Sequence, residues 1–218
     1  SASWPYPVET ITIVNGALDA IYRSIEQVSR FGDRVVVENP GFPPFFDLLK
    51  RLGLEAVPAD IDEHGMVPES FRIALQSSPA VVILQPRAVN PTGASMTSER
   101  AKTLARMIGA DTAHARIVVI EDDHSGDITA APDVSLGTWI PERVLHVRSF
   151  SKSHGPDLRI AALGGPASHI NAIEATRMLG PGWTSRMLQT ILFELLTSSE
   201  SIAEVSDARR VYFSRQKA

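Results

Sequence analysis

The sequence predicts an α/β fold: three layers, with a mainly parallel sheet flanked by helices. Three observations predict it. Short unbroken apolar runs recur, among them Ala80-Val81-Val82-Ile83-Leu84 and Ile117-Val118-Val119-Ile120, and strands buried on both faces read this way. Between such runs lie segments with apolar residues at helical spacing, such as Leu18, Ile21, Ile25 and Val28. The two patterns alternate, which builds βαβ units with parallel strands and helices on both faces. The length of 218 residues suffices for one large domain or two small ones.

The elements follow in order. Residues 1–9 are irregular, and Ile11-Thr12-Ile13-Val14 is a strand broken by Asn15-Gly16. A helix is predicted over 17–30, then a strand over 34–38. The turn Asn39-Pro40-Gly41-Phe42-Pro43-Pro44 leads into a helix over 45–52. A short strand over 55–58 precedes a polar turn, Asp62-Glu63-His64-Gly65. A helix over 68–76 starts on Pro68, where a missing N–H is harmless. After the strand 80–84 comes Asn90-Pro91-Thr92-Gly93, and Thr97 is placed to cap a helix running to about Ile108. The strand 117–120 delivers Glu121-Asp122-Asp123-His124 at its carboxyl end. Residues 125–142 read as loop, 144–147 and 160–163 as strands. Helical stretches are predicted over about 168–178, 184–198 and 201–215.

Several function classes are excluded by composition. A net charge of −4 offers no nucleic-acid surface within these residues. With no cysteine there is neither a disulfide framework nor a thiolate metal site. No apolar run approaches the roughly 20 residues that cross a bilayer, so a cytoplasmic, soluble protein with no membrane partner is expected.

Ligands of open α/β sheets sit beyond the carboxyl ends of the strands, and the unusual residues here cluster at such ends. The turn Asn15-Gly16-Ala17-Leu18 opens a helix whose free N–H groups suit an anion such as phosphate, though it also reads as a plain tight turn. Phe42 can stack on a flat heterocycle or plug the core. Asn90, in its Pro-braced turn, can donate to an anionic oxygen or be a generic turn former. Asp122, Asp123 and His124 could ligate a metal, but no second cluster at ligand spacing supports this. A better partner for a strand-end carboxylate is a protonated ring nitrogen, which turns the ring into an electron sink. Last comes Ser149-Phe150-Ser151-Lys152-Ser153-His154-Gly155-Pro156-Asp157-Leu158-Arg159. A lysine straight after a core strand is expected at the floor of a cleft, held out of solvent. There, burial and neighbouring cations make its amine usable for Schiff-base chemistry.

Taken together and in this order, these residues resemble the pyridoxal-phosphate enzymes of aminotransferase class I/II, fold type I, over about 10–198. The resemblance implies pyridoxal 5'-phosphate as cofactor and the large domain of that fold. It implies Lys152 as the Schiff-base amine and Asp122 as the partner of the pyridine nitrogen. Asn90 falls on the amide that bonds the phenolic oxygen, and Phe42 on the stacking ring. Ser149, Ser151 and Arg159 match side chains that hold the phosphate, assisted by the backbone of Gly16, Ala17 and Leu18. No metal is implied.

The spacing Ser151-Lys152, Pro156, Arg159 is similar to the MocR branch of the GntR-type regulators, as are Gly32-Asp33-Arg34-Val35 and Glu38-Asn39-Pro40-Gly41-Phe42. That branch joins a winged-helix DNA-binding domain to an aminotransferase-like one. The expected function is therefore an effector-sensing domain that takes an amino acid or amine. It would act as a homodimer and reach DNA only through an N-terminal domain outside these residues. The alternative is the large domain of a free-standing aminotransferase. His124 departs from the family, which carries a tyrosine there that bonds the phenolic oxygen; it is expected among the cofactor-binding residues, its imidazole able to donate to the same oxygen or to lower or redirect catalysis. Residues 10–200 are expected to form the cofactor-binding domain. Residues 201–218 are expected to start a helix toward a small C-terminal domain that this chain lacks.

Overall fold

The computed structural model describes residues 10–110, 114 and 116–216; the segment 1–9, predicted irregular, lies outside them. The amino-terminal half contains β1 (Ile11–Val14), α1 (Ala17–Val28), β2 (Arg34–Asn39), α2 (Pro43–Arg51) and β3 (Glu55–Asp62). It continues with β4 (Gly65–Met66), α3 (Pro68–Leu75), β5 (Val81–Leu84) and α4 (Ser98–Gly109). The carboxyl-terminal half contains β6 (Val118–Asp123), β7 (Val144–Ser149), α5 (Ser151–His154) and β8 (Ala161–Gly164). Three helices close it: α6 (Ala167–Arg177), α7 (Arg186–Thr197) and α8 (Ser199–Gln216).

The sheet has eight strands in the order β1-β8-β7-β6-β5-β2-β3-β4. Its centre, β7-β6-β5-β2-β3, is parallel throughout. Antiparallel pairs flank it: β8 against β7 and β1, and β4 against β3. Alternate residues of the central strands enter opposite cores. Val36, Val82, Leu84 and Val119 pack with Phe71, Leu75, Leu104 and Ile108 of α3 and α4. Val35, Val37, Ile83 and Ile120 pack with Ile21, Ile25, Leu49 and Ile170 of α1, α2 and α6. Both faces are covered, which is why these strands lack the alternation of a half-exposed sheet. The resulting three layers match the predicted fold class.

Two predicted elements differ. β3 runs to Asp62 rather than stopping at Pro58, and the polar turn is a hairpin that pairs Ile61 with Met66 and Asp62 with Gly65. Pro58 is exposed and pairs only toward β2; β4 begins further along, so its missing donor leaves no ladder unfilled. The stretch 125–142 carries three single 3-10 turns, at Gly126–Ile128, Leu136–Thr138 and Pro141–Arg143. It plugs the core with Val134, Leu136 and Ile140.

Candidate functional site

β1 and β7 both run opposite to β8, so β1 points the same way as the parallel centre. The carboxyl ends of β1, β2, β5, β6 and β7 therefore share one edge, where β8 begins. This places Gly16, Phe42, Asn90, Asp122, His124, Ser149, Lys152 and Arg159 at one edge, from five separate stretches of chain.

Asp122, near the end of β6, is buried at 2% exposure. Its Oδ2 accepts a hydrogen bond from Gln85 Nε2 at 2.8 Å, whereas Oδ1 is buried with no partner among the described residues. Burial pushes this carboxyl up to about 6, against the pull of the Gln85 amide and the Lys152 charge. Gln85 had escaped the sequence reading. Its Oε1 accepts from the Asn90 backbone N–H at 2.8 Å, so one buried amide ties the Asp122 carboxylate to the Asn90 turn. The Gln85 N–H in turn donates to Glu38 Oε2 at 2.9 Å. A buried glutamine beside strand-end acids was the only available signal, and only the register of β2, β5 and β6 brings these residues together.

Lys152 lies in α5, one residue past the helix start. The expectation that it is held out of solvent is corrected: the side chain is exposed, because α5 lies beyond the rim of the sheet. Its amine is nevertheless fixed, with Nζ 2.6 Å from His124 Nδ1. Partial burial lowers its pKa, while the nearby Asp122 charge raises it. Lys152, His124, Asn90, Ser125, Tyr212 and Phe213 line a cavity of about 570 Å³. On its far ring atom, His124 Nε2 stands 2.9 Å from the Ala88 carbonyl oxygen and 3.3 Å from Asn90 Nδ2. Burial, followed by the Lys152 charge, pushes His124 down to about 4.

At the β1 end, Gly16 has φ of 97° and no side chain caps α1. A Cβ at Gly16 would stand 2.8 Å from Arg159 Nη2, so glycine lets the guanidinium lie over the opening turn of α1, beside the backbone of Ala17 and Leu18. Ser149 is buried and its hydroxyl accepts from the Ser151 N–H at 3.4 Å. Phe42 is half-buried. Its ring meets Phe45 edge-on with centroids 5.3 Å apart and packs on the core under α1 and α2.

Asp123 points elsewhere. Together with Arg87, Arg148, Asp127 and Asp133 it forms an ion network behind the site. Burial raises its carboxyl, but Arg87 and Arg148 outweigh that and hold it at about 2. The set suits a planar, protonated, phosphorylated aldehyde. Among the described residues Asp122 Oδ1 lacks a donor that a ring N–H would supply, Lys152 offers an amine, and at Gly16 the Arg159 guanidinium lies close to the uncapped start of α1.

Residues 3–217 match the aminotransferase class I and II family. The vitamin B6 salvage pathway transcriptional repressor PtsJ of Salmonella typhimurium is 34% identical over 95% of this chain and 47% of its own length. The HTH-type transcriptional regulator TauR of Rhodobacter capsulatus is 31% identical over 84% of this chain and 37% of its own. The chain thus spans less than half of either relative. Among solved structures, aspartate aminotransferase of Thermus thermophilus with maleate superposes with a TM-score of 0.86. That match, at 23% identity, covers 96% of this chain and 55% of the other, and it shows the shared fold.

Proposed function

The chain belongs to the aminotransferase class I and II family, whose cofactor is pyridoxal phosphate, and from that premise we propose that it is the effector-sensing domain of a MocR-type regulator of the GntR superfamily. One observation carries the cofactor reading: a buried carboxylate oxygen with no donor among the described residues, Asp122 Oδ1, within electrostatic reach of a lysine amine at the same sheet edge. The regulator reading is supported by the printed names of the two relatives above.

When bound, pyridoxal phosphate supplies an electrophilic aldehyde carbon and a ring that accepts an electron pair. Lys152 is the amine that attaches to it. Asp122 holds the proton on the ring nitrogen, and Gln85 fixes the carboxylate so that Oδ1 is the free oxygen. Asn90 would donate toward the phenolic oxygen, and Phe42 would supply the stacking ring. Ser149, Ser151, Arg159 and the backbone of Gly16, Ala17 and Leu18 hold the phosphate. In this reading residues 10–200 form the cofactor unit, and 201–218 begin a helix toward a C-terminal domain, with Tyr212 and Phe213 of that helix on the cavity wall. The ligand that exchanges with Lys152 is an amino acid or amine. The protein works in the cytoplasm as a homodimer and meets DNA through a domain outside these residues. The second reading, a free-standing aminotransferase, draws on the family itself.

The test is an absorbance titration with pyridoxal phosphate. A visible band should grow with added cofactor and be absent in Lys152→Ala. A band that survives this substitution, or no band in the unaltered chain, refutes the cofactor reading. Specific DNA binding by the full-length protein, altered by an amine ligand, separates regulator from enzyme.

A further inference from the structure

We propose that His124 is the proton acceptor that readies Lys152 for an aldehyde, an inference that rests on the cofactor reading above. The Ala88 carbonyl oxygen can only accept, and it stands 2.9 Å from His124 Nε2; Nε2 therefore carries the ring hydrogen. That leaves the Nδ1 lone pair facing Lys152 Nζ at 2.6 Å. Asn90 Nδ2, at 3.3 Å from Nε2, is then a donor beside a donor and takes no share of the ring. The loop that orients the imidazole is itself held, with the Ala88 N–H donating to Ser95 Oγ at 3.0 Å.

The charges around the ring keep it unprotonated, so its lone pair is available although its basicity is reduced. Lys152 of α5 and Arg87 of the loop after β5 oppose a proton on His124, as does burial, while Asp123 of β6 favours one. Asp122 of β6 faces Lys152 and stabilises its ammonium. The imidazole is consequently neutral throughout the neutral range and free to accept.

The step balances as follows. Lys152 Nζ passes one proton to His124 Nδ1. The freed lone pair attacks the aldehyde carbon; a C–N bond forms, the C=O π pair moves to oxygen, and a second Nζ proton follows it, giving a hydroxyl. His124 returns its proton to that hydroxyl, which leaves as water while the nitrogen lone pair closes a C=N bond. The imidazole ends neutral and the positive charge stays on nitrogen.

Transfer between Lys152 and His124 exchanges no proton with solvent, so this route does not depend on pH while His124 is neutral. A lysine without the histidine must lose its proton to water. Its rate should then climb about tenfold per pH unit below the amine's pKa.

The experiment follows the rate at which visible absorbance grows on mixing with pyridoxal phosphate at several pH values. The unaltered chain should show a rate floor on the acid side of neutrality. His124→Asn keeps an acceptor near Lys152 but cannot take up a proton. It should reach the same final absorbance about 100-fold more slowly at neutral pH, the usual scale of a lost general base, and lose the floor. Added imidazole should restore part of the rate to His124→Ala. His124→Asn reacting at the original rate with the original pH profile overturns the proposal. Reductive methylation with formaldehyde and borohydride, located by mass spectrometry, reads the same deprotonation without the cofactor. Lys152 labelling should slow in His124→Asn while the other lysines are unaffected, and equal labelling overturns the proposal even if pyridoxal phosphate is never captured.

Discussion

The two oxygens of Asp122 live in unequal surroundings. Oδ2 is held by Gln85 and Oδ1 by nothing among the described residues, so a bound ring N–H has one place to go. Burial holds the carboxyl at about 6: it is charged above that pH and neutral below it. A protonated ring nitrogen binds the charged form better, so cofactor affinity should weaken as pH falls through about 6. Dissociation constants measured from about pH 5 to pH 8 check this. Asp122→Asn should bind weakly with no such inflection, and a flat profile in the unaltered chain would count against the assigned pairing.

Among the elements, α4 and β3 show what decides a boundary. α4 starts where Thr97 Oγ1 accepts the Arg100 N–H at 3.1 Å, a cap visible in the sequence because it needs only local spacing. Thr97→Ala should cost about 1 kcal/mol of stability, read as a lower denaturant midpoint with unchanged slope. β3 runs past Pro58 to Asp62, and the staggered arrival of β4 leaves the donor side of that proline free. The helix α8 is anchored by Arg209 Nε on the Asp127 carbonyl oxygen at 2.6 Å, and it brings Tyr212 and Phe213 to the cavity wall. A contact 82 residues distant in sequence has no local signature.

Stability against pH belongs to the whole molecule. Burial raises the Glu38 carboxyl to about 8, against its bond from Gln85, from an ordinary 4.5. The folded chain then holds a proton that the unfolded chain has lost, and stability falls as pH rises between those values. Glu38→Gln should remove that slope and melt higher than the unaltered protein near pH 8; a lower melting temperature there would show that Glu38 is charged and paired. Asp123 acts in the opposite sense. Held at about 2 by Arg87 and Arg148 after burial is overcome, it stabilises the fold above the ordinary carboxylate value. That contribution is lost as pH falls toward 2.

The sequence alone determined the alternation of the main strands and helices, the burial of the central sheet on both faces, and the strand ends at which the unusual residues lie. Each of these follows from apolar periodicity and local turn chemistry, which act over a few neighbours. Tertiary structure alone decided the antiparallel flanks, the exposure of Lys152 and the Gln85 link from Asp122 to Asn90. It also decided the His124–Lys152 contact. Those depend on which strands pair and in what register, and pairing is fixed by burying two cores at once, a condition that no short stretch of sequence carries.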